Sequence, residues 1–339
     1  MTVADLEVLG VGDAEVAPPL DPSGKKITGR SPTRIALDRL RKDKVAVVCA
    51  VTVFILVLLG VFAPLISNAL GLKYDDPPSV PAVEYLYLTF PKPEYGPPFG
   101  AFIWDHPLGL APGTAYDNFA RLLYGIRTSF AVALLATLLS TLVGVAVGLV
   151  AGFARGALDK VISFVVDVFL SFPFLLGALA IAPIITSRFA NQPSLLSKAQ
   201  FISLVSVLVL FGWMGLARLI RGQVLSLRER EFVQAAQVIG VPTRRILFKE
   251  LLPNLVAPIV VTVSLSLPGF VAAEAGLAFL GIGLTGIPSL GQTILRATAS
   301  YDQYPLYLWA PVITVAVLVM ALNLLGDSVR DAFDPSTRR

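Results

Sequence analysis

Six stretches of this chain run for roughly a bilayer's thickness with almost no charge. They are residues 45–66, a run within 128–154, one within 161–187 broken only by Asp167, residues 199–217, a run inside 251–295 whose only charge is Glu274, and one within 303–326. A hydrocarbon core about 30 Å thick needs about 20 apolar residues at 1.5 Å each, so each stretch predicts a transmembrane helix. The fold class expected is all-α: a polytopic membrane protein of six spans. Pro173, in the sequence SFPFLL, removes a backbone hydrogen bond and predicts a kink in the third span, read as a packing device. Residues 281–299 are too rich in Gly and Pro for a continuous helix, and residues 288–297 predict a short re-entrant or outer-mouth helix.

The polar segments between the spans set the orientation. Residues 1–30 open with five acids before the first Lys, at position 25, and are read as a disordered N-terminal tail. Residues 31–44 are basic, with Ile35, Leu37 and Leu40 interleaved, and Pro32 is placed to open an amphipathic elbow helix lying on anionic lipid. With both termini inside, the inner segments hold 20 of the 27 basic residues and the outer ones 7, which favours N-in, C-in. Residues 67–127 then form an extracytoplasmic loop, residues 128–326 a core of spans two to six, residues 218–253 a cytoplasmic loop between spans four and five, and residues 327–339 a cytoplasmic tail.

Composition removes most chemistry. A mean hydropathy of +0.75 marks a membrane protein. The single cysteine, Cys49, excludes an internal disulfide and a cysteine metal cluster; the single histidine, His106, excludes a His pair, so no metal site is expected. His106 precedes a proline and reads as a turn residue. No G-x-x-x-x-G-K-[ST] phosphate loop is present, so any ATP must be bound by another chain. Asp167 and Glu274 are the ionisable residues inside the spans and functional candidates by default. The structural reading weighs more for both: Asp167 pairing with Arg218 or Arg221, and Glu274 hydrogen-bonding across spans near Gly269 and Gly276.

The cytoplasmic loop is the most informative stretch. Phe232, Ala235, Ala236 and Ile239 fall on one face of a short helix, Gly240 is suited to end it, and Pro242 to open a second helix running to Leu252. Two alanines beside a glycine give a low-relief surface that another protein's backbone can approach. Residues 232–253 read FVQAAQVIGVPTRRILFKELLP and resemble the EAA loop of binding-protein-dependent ABC importer permeases. Gln234, Ala235, Ala236, Gly240, Leu252 and Pro253 occupy the motif positions, with Gln234 where the family usually has Glu.

Other stretches resemble the dipeptide and oligopeptide (DppC/OppC-like) branch of that family: RLRKDKVAVV from Arg39, HPLG from His106, RLLYGIRTSF from Arg121, VVDVFLSFPFLL from Val165, AEAGLAFLGIGL from Ala273 and LLGDSVRDAFDP from Leu324. Of that branch's signature before the second span only Asp117 is kept. The resemblance spans residues 31–335. It implies a non-catalytic permease subunit in a bacterial plasma (inner) membrane, with no cofactor of its own and no nucleic acid. Its implied partners are a second homologous permease, two ATPase subunits that bind ATP and Mg, an extracytoplasmic substrate-binding protein, and membrane lipid. The implied cargo is di- or oligopeptides; related permeases carrying nickel or oligosaccharide look alike. A stand-alone secondary transporter is the rival reading, and the half-to-half repeat such proteins usually show is not evident.

Overall fold

The computed structural model describes residues 32–75, 85–86, 90–91, 103–154 and 156–334. The acidic segment read as a tail lies outside them. Apart from an antiparallel pair of two-residue strands, Tyr85–Leu86 with Phe90–Pro91, and a single bridge between Leu110 and Asp117, the regular structure of the described chain is helical. In order come α1 (Pro32–Lys42), α2 (Lys44–Val61), α3 (Ala63–Ala69), α4 (Asn118–Phe153), α5 (Ala157–Ser171), α6 (Phe174–Ser187), α7 (Pro193–Gly212), α8 (Met214–Arg228), α9 (Glu231–Val238), α10 (Thr243–Arg245), α11 (Leu252–Asn254), α12 (Val256–Phe279), α13 (Leu290–Ala297) and α14 (Pro305–Phe333).

Five helical stretches among the described residues are long and apolar enough to cross a membrane: α2, α4, the run Leu195–Arg228 through α7 and α8, α12 and α14. α5 with α6, bent by 89°, makes a sixth when the bent pair is counted as one span. Sequence predicted a kink at Pro173; the structure breaks the helix there. Pro173 has no N–H to continue the ladder and Phe172 takes an extended conformation (ψ 128°), so α5 and α6 leave in different directions. Two further boundaries move. The fourth span continues as helix to Arg228, taking in the first residues assigned to the cytoplasmic loop, and α14 runs on to Phe333, into the segment read as a tail.

Between helices in lipid there is little hydrophobic driving force, so close packing holds them together. α4 is the central post. Gly144, Gly148 and Gly152 face α8, and a Cβ at Gly148 would fall 2.7 Å from the Ala217 carbonyl oxygen and from the Ile220 Cβ. Gly212 meets Phe270 of α12 just as closely, and Gly60 of α2 lies against the Arg127 backbone of α4. Local caps start these helices: Asp117 accepts from Ala120 N at 2.7 Å to open α4, and Asp43 accepts from Val45 N at 2.9 Å to open α2.

α1 was expected to lie along lipid, and one face of it does not. Ala36 is buried, and the Arg39 guanidinium donates to the carbonyls of Ala332 (3.4 Å) and Asp334 (3.2 Å) at the end of α14. Ser328 Oγ donates to Asp43 at 2.8 Å, which holds the Asp43 carboxyl below its ordinary range. These contacts place the described ends of the chain on the same side of the helical bundle.

At the opposite end, His106 Nδ1 lies 2.9 Å from Asp117 Oδ2, so the turn residue helps fix the α4 cap. Nearby, Ala111, Ala297, Tyr304 and Tyr307 form a small core, where burial pushes the Tyr304 hydroxyl's pKa up.

Candidate coupling loop and charged groups within the spans

The loop begins where α8 ends. Arg228 reaches back to the carbonyls of Gly152 (3.4 Å) and Ala154 (3.5 Å), tying the end of α8 to the end of α4. α9 follows and stops at a glycine cap: Gly240 has φ +80°, Gly240 N donates to Gln237 O at 3.0 Å, and Val241 N donates to Ala236 O at 3.0 Å. That left-handed turn is why glycine is needed here. The second helix expected from Pro242 is not continuous. α10 and α11 flank a π-helical turn, Ile246–Leu251. The wider turn lets Ile246, Leu251 and, just beyond, Leu255 all point inward.

Those residues join Val233 and the α4 and α8 side chains Leu149, Leu216, Ile220 and Val224 in one apolar cluster. The loop is therefore seated rigidly on the ends of α4 and α8. Its outer surface is apolar as well: Val238 is 87% exposed, Ile239 79%, Phe248 56% and Phe232 42%. The face predicted for α9 is split accordingly. Val233 and Ala236 turn inward, whereas Phe232, Ala235 and Ile239 turn outward.

Of the motif residues, Gln234, Ala235, Gly240 and Pro253 lie on the outer surface, while Ala236 and Leu252 pack against the inner cluster. Gln234 Nε2 donates to Glu229 O at 3.3 Å, closing the start of the loop. Sequence reasoning missed Val238 and Phe248. Their signal was an apolar side chain in a loop otherwise rich in charge.

The ionisable residues inside the spans lie apart from this loop and from each other. Asp167 of α5 pairs with Arg218 of α8, as expected, and Arg221 makes a two-pronged pair with Asp159 at 2.6 and 2.8 Å. Glu274 of α12 is completely buried, and neither carboxylate oxygen meets a partner at hydrogen-bond geometry. The expected neighbours, Gly269 and Gly276, have open space where a side chain would be. Ser129 of α4 and Ser289 at the cap of α13 face it instead. Each of these hydroxyls already accepts a backbone N–H, from Leu290 (3.1 Å) and Gln292 (3.3 Å), which leaves its own hydrogen free to turn toward Glu274. No group of three or more His, Cys, Asp or Glu side chains suited to a metal occurs among the described residues.

Residues 144–339 match the family described as binding-protein-dependent transport system inner membrane component, and residues 31–81 match the N-terminal transmembrane domain of oligopeptide transport permease C. The chain is 31% identical to the dipeptide transport system permease protein DppC of Alkalihalophilus pseudofirmus, over 94% of each chain. It is 29% identical to the oligopeptide transport system permease protein OppC of Bacillus subtilis, over 90% of each. It is 32% identical to that of Escherichia coli K12, over 92% of this chain and 94% of the other. Among solved structures it resembles an inward-facing conformation of the MetNI methionine ABC transporter, with a TM-score of 0.50 at 18% identity, over 63% of this chain and 96% of that one. That last likeness concerns the fold alone.

Proposed function

Because the chain belongs to the binding-protein-dependent transport family, as a multi-pass ABC importer permease, we infer that it takes up di- or oligopeptides across a bacterial inner membrane. An extracytoplasmic binding protein delivers the peptide, a second homologous permease completes the path, and two ATPase subunits bind ATP and Mg. The chain itself holds no cofactor and carries out no chemistry.

The observation that carries this reading is the loop's two-sided construction. Its inner side is locked to α4 and α8 by a buried apolar cluster, and its outer side leaves Val238 and Ile239 almost fully exposed. Exposed aliphatic side chains on a rigid, water-facing loop are the signature of a docking site. A partner gripping that surface pushes directly on the ends of two helices, α4 and α8, and α8 passes the motion to α5 through the two-pronged Arg221–Asp159 pair. Gln234, Ala235, Gly240 and Pro253 belong to the gripped surface; Ala236 and Leu252 hold it in place.

The test is a pull-down followed by uptake. The purified permease pair is expected to bring down its ATPase subunits and, with the binding protein, to accumulate labelled peptide in vesicles when ATP is supplied. Replacing Val238 and Ile239 together by Ser should leave a folded, inserted chain that brings down no ATPase. Retention of the ATPase with full uptake in that variant contradicts the assignment.

A further inference from the structure

The shared face of α5 and α8 carries charge within stretches otherwise apolar enough to span a membrane. Asp167 lies in α5, part of the bent pair long and apolar enough to count as one span, and Arg218 lies in the candidate spanning run Leu195–Arg228, yet their side chains are 60% and 59% exposed. Ionisable groups at such positions face a bundle interior or a watery cavity. A second observation points the same way. Phe172 and Pro173, where the α5–α6 crossing breaks, are exposed as well, and broken backbone at membrane depth is tolerated only against protein or water. Asp167 sits about one and a half turns before that break.

The polar groups on this face form a track. Asp159, Ser163 and Asp167 follow one another at four-residue spacing along α5, with Arg221 and Arg218 opposite them on α8. Between the two helices and α4 lies an open cavity of about 230 Å³ whose lining includes Gly148, Ser163, Asp167, Arg218 and Arg221. The two pairs are not equivalent. Arg221 is held by both oxygens of Asp159, which also accepts from Ser163 Oγ at 3.3 Å, whereas Arg218 reaches Asp167 through a single contact.

We propose that this face is a wall of the aqueous translocation path, and that Asp167 and Arg218 exchange their mutual pair for the termini of a passing peptide, Asp167 taking the ammonium and Arg218 the carboxylate. This rests on the peptide reading above and names the chemistry within the membrane that such a cargo meets. The arrangement suits transit. Empty, the two charges neutralise each other; loaded, each trades one ionic hydrogen bond for another, so the peptide is accepted without being trapped. Meanwhile the two-pronged Arg221–Asp159 pair keeps α5 attached to α8.

The test uses the assembled transporter with its binding protein, and uptake is divided by the amount of each peptide that the binding protein holds. One test peptide is N-acetylated and lacks the ammonium; the other is C-amidated and lacks the carboxylate. Asp167→Asn is expected to lower the ratio of amidated to acetylated uptake about tenfold or more, and Arg218→Gln to raise it by a similar factor. A ratio that stays at the wild-type value in both variants means that the pair only fastens α5 to α8, and overturns the proposal. A second measurement reads the face directly. In a Cys49→Ala background, Ser163→Cys should react with a charged, membrane-impermeant thiol reagent, and more slowly during peptide turnover; a thiol that never reacts also overturns it. If the wild-type assembly carries no peptide at all, the peptide reading fails, and labelling at position 163 still decides whether the face is wet.

Discussion

Replacing Gly240 by Ala isolates the role of one backbone angle in coupling. The residue sits at φ +80°, and no atom lies within 4 Å of where its Cβ would be, so the substitution meets no clash. Its cost is conformational, about 1–2 kcal/mol for an L-residue held in the left-handed region. Two cap bonds depend on that angle, Gly240 N to Gln237 O and Val241 N to Ala236 O, both 3.0 Å. A penalty of this size lowers the ratio of closed to open cap by a factor of about 5 to 30. When the cap opens, Val238 and Ile239 lose their fixed position, although Val233, Ile246 and Leu251 still anchor the loop.

The assay is peptide-stimulated ATP hydrolysis and uptake by the reconstituted transporter, with membrane abundance measured in parallel. Gly240→Ala should reduce both activities several-fold at unchanged abundance. Asn, which enters the left-handed region more readily, should fall between Ala and Gly. Gly240→Asp should be inserted and lack transport. Wild-type activity in Gly240→Ala, or an Asn variant worse than the Ala variant, refutes the claim that the cap angle positions the docking surface.

Other expectations follow from the same geometry. Gly148→Leu forces atoms into the 2.7 Å approach to Ala217 and Ile220 and should cost at least about 1–3 kcal/mol, read as a lower unfolding temperature of the detergent-solubilised chain; an unchanged temperature means that the two helices are free to separate. Glu274→Gln keeps a group able to meet the Ser129 and Ser289 hydroxyls, so uptake should stay near normal, while abolished uptake in an intact assembly would assign Glu274 to gating or substrate contact.

Acid should loosen α1. The Asp43 carboxyl is held below its ordinary value of 3.8 by Ser328, so its contribution is complete above that pH and is lost as pH falls through the depressed value. Proteolysis at α1 should therefore rise in acid, and Ser328→Ala should already show raised cleavage at neutral pH; equal cleavage of both chains at every pH removes this contact from the account. Asp117→Ala should cost about 1 kcal/mol through the α4 cap, measured by the same thermal assay.

Much of the architecture was legible in residue order alone. The apolar stretches and the helix-ending glycine follow from local chemistry: hydrocarbon excludes charge residue by residue, and a left-handed turn favours glycine whatever surrounds it. The loop motif is legible through its resemblance to the family. The outward face of α9 was not legible. Phe232, Val233, Ala235, Ala236, Val238 and Ile239 ring an eight-residue helix on nearly every side, and only docking against Leu149 and Ile220 selects Val233 for burial.

Tertiary structure likewise chose Arg218 over Arg221 for Asp167, and Ser129 and Ser289 over the glycines for Glu274. It also turned a predicted kink at Pro173 into an 89° break. The role of Gly144, Gly148 and Gly152 was not read from the sequence; it emerges only where α4 meets α8. Burial in the membrane is a property of each segment by itself. The choice of neighbour belongs to pairs of segments distant in sequence, and it is settled only when their surfaces are brought together.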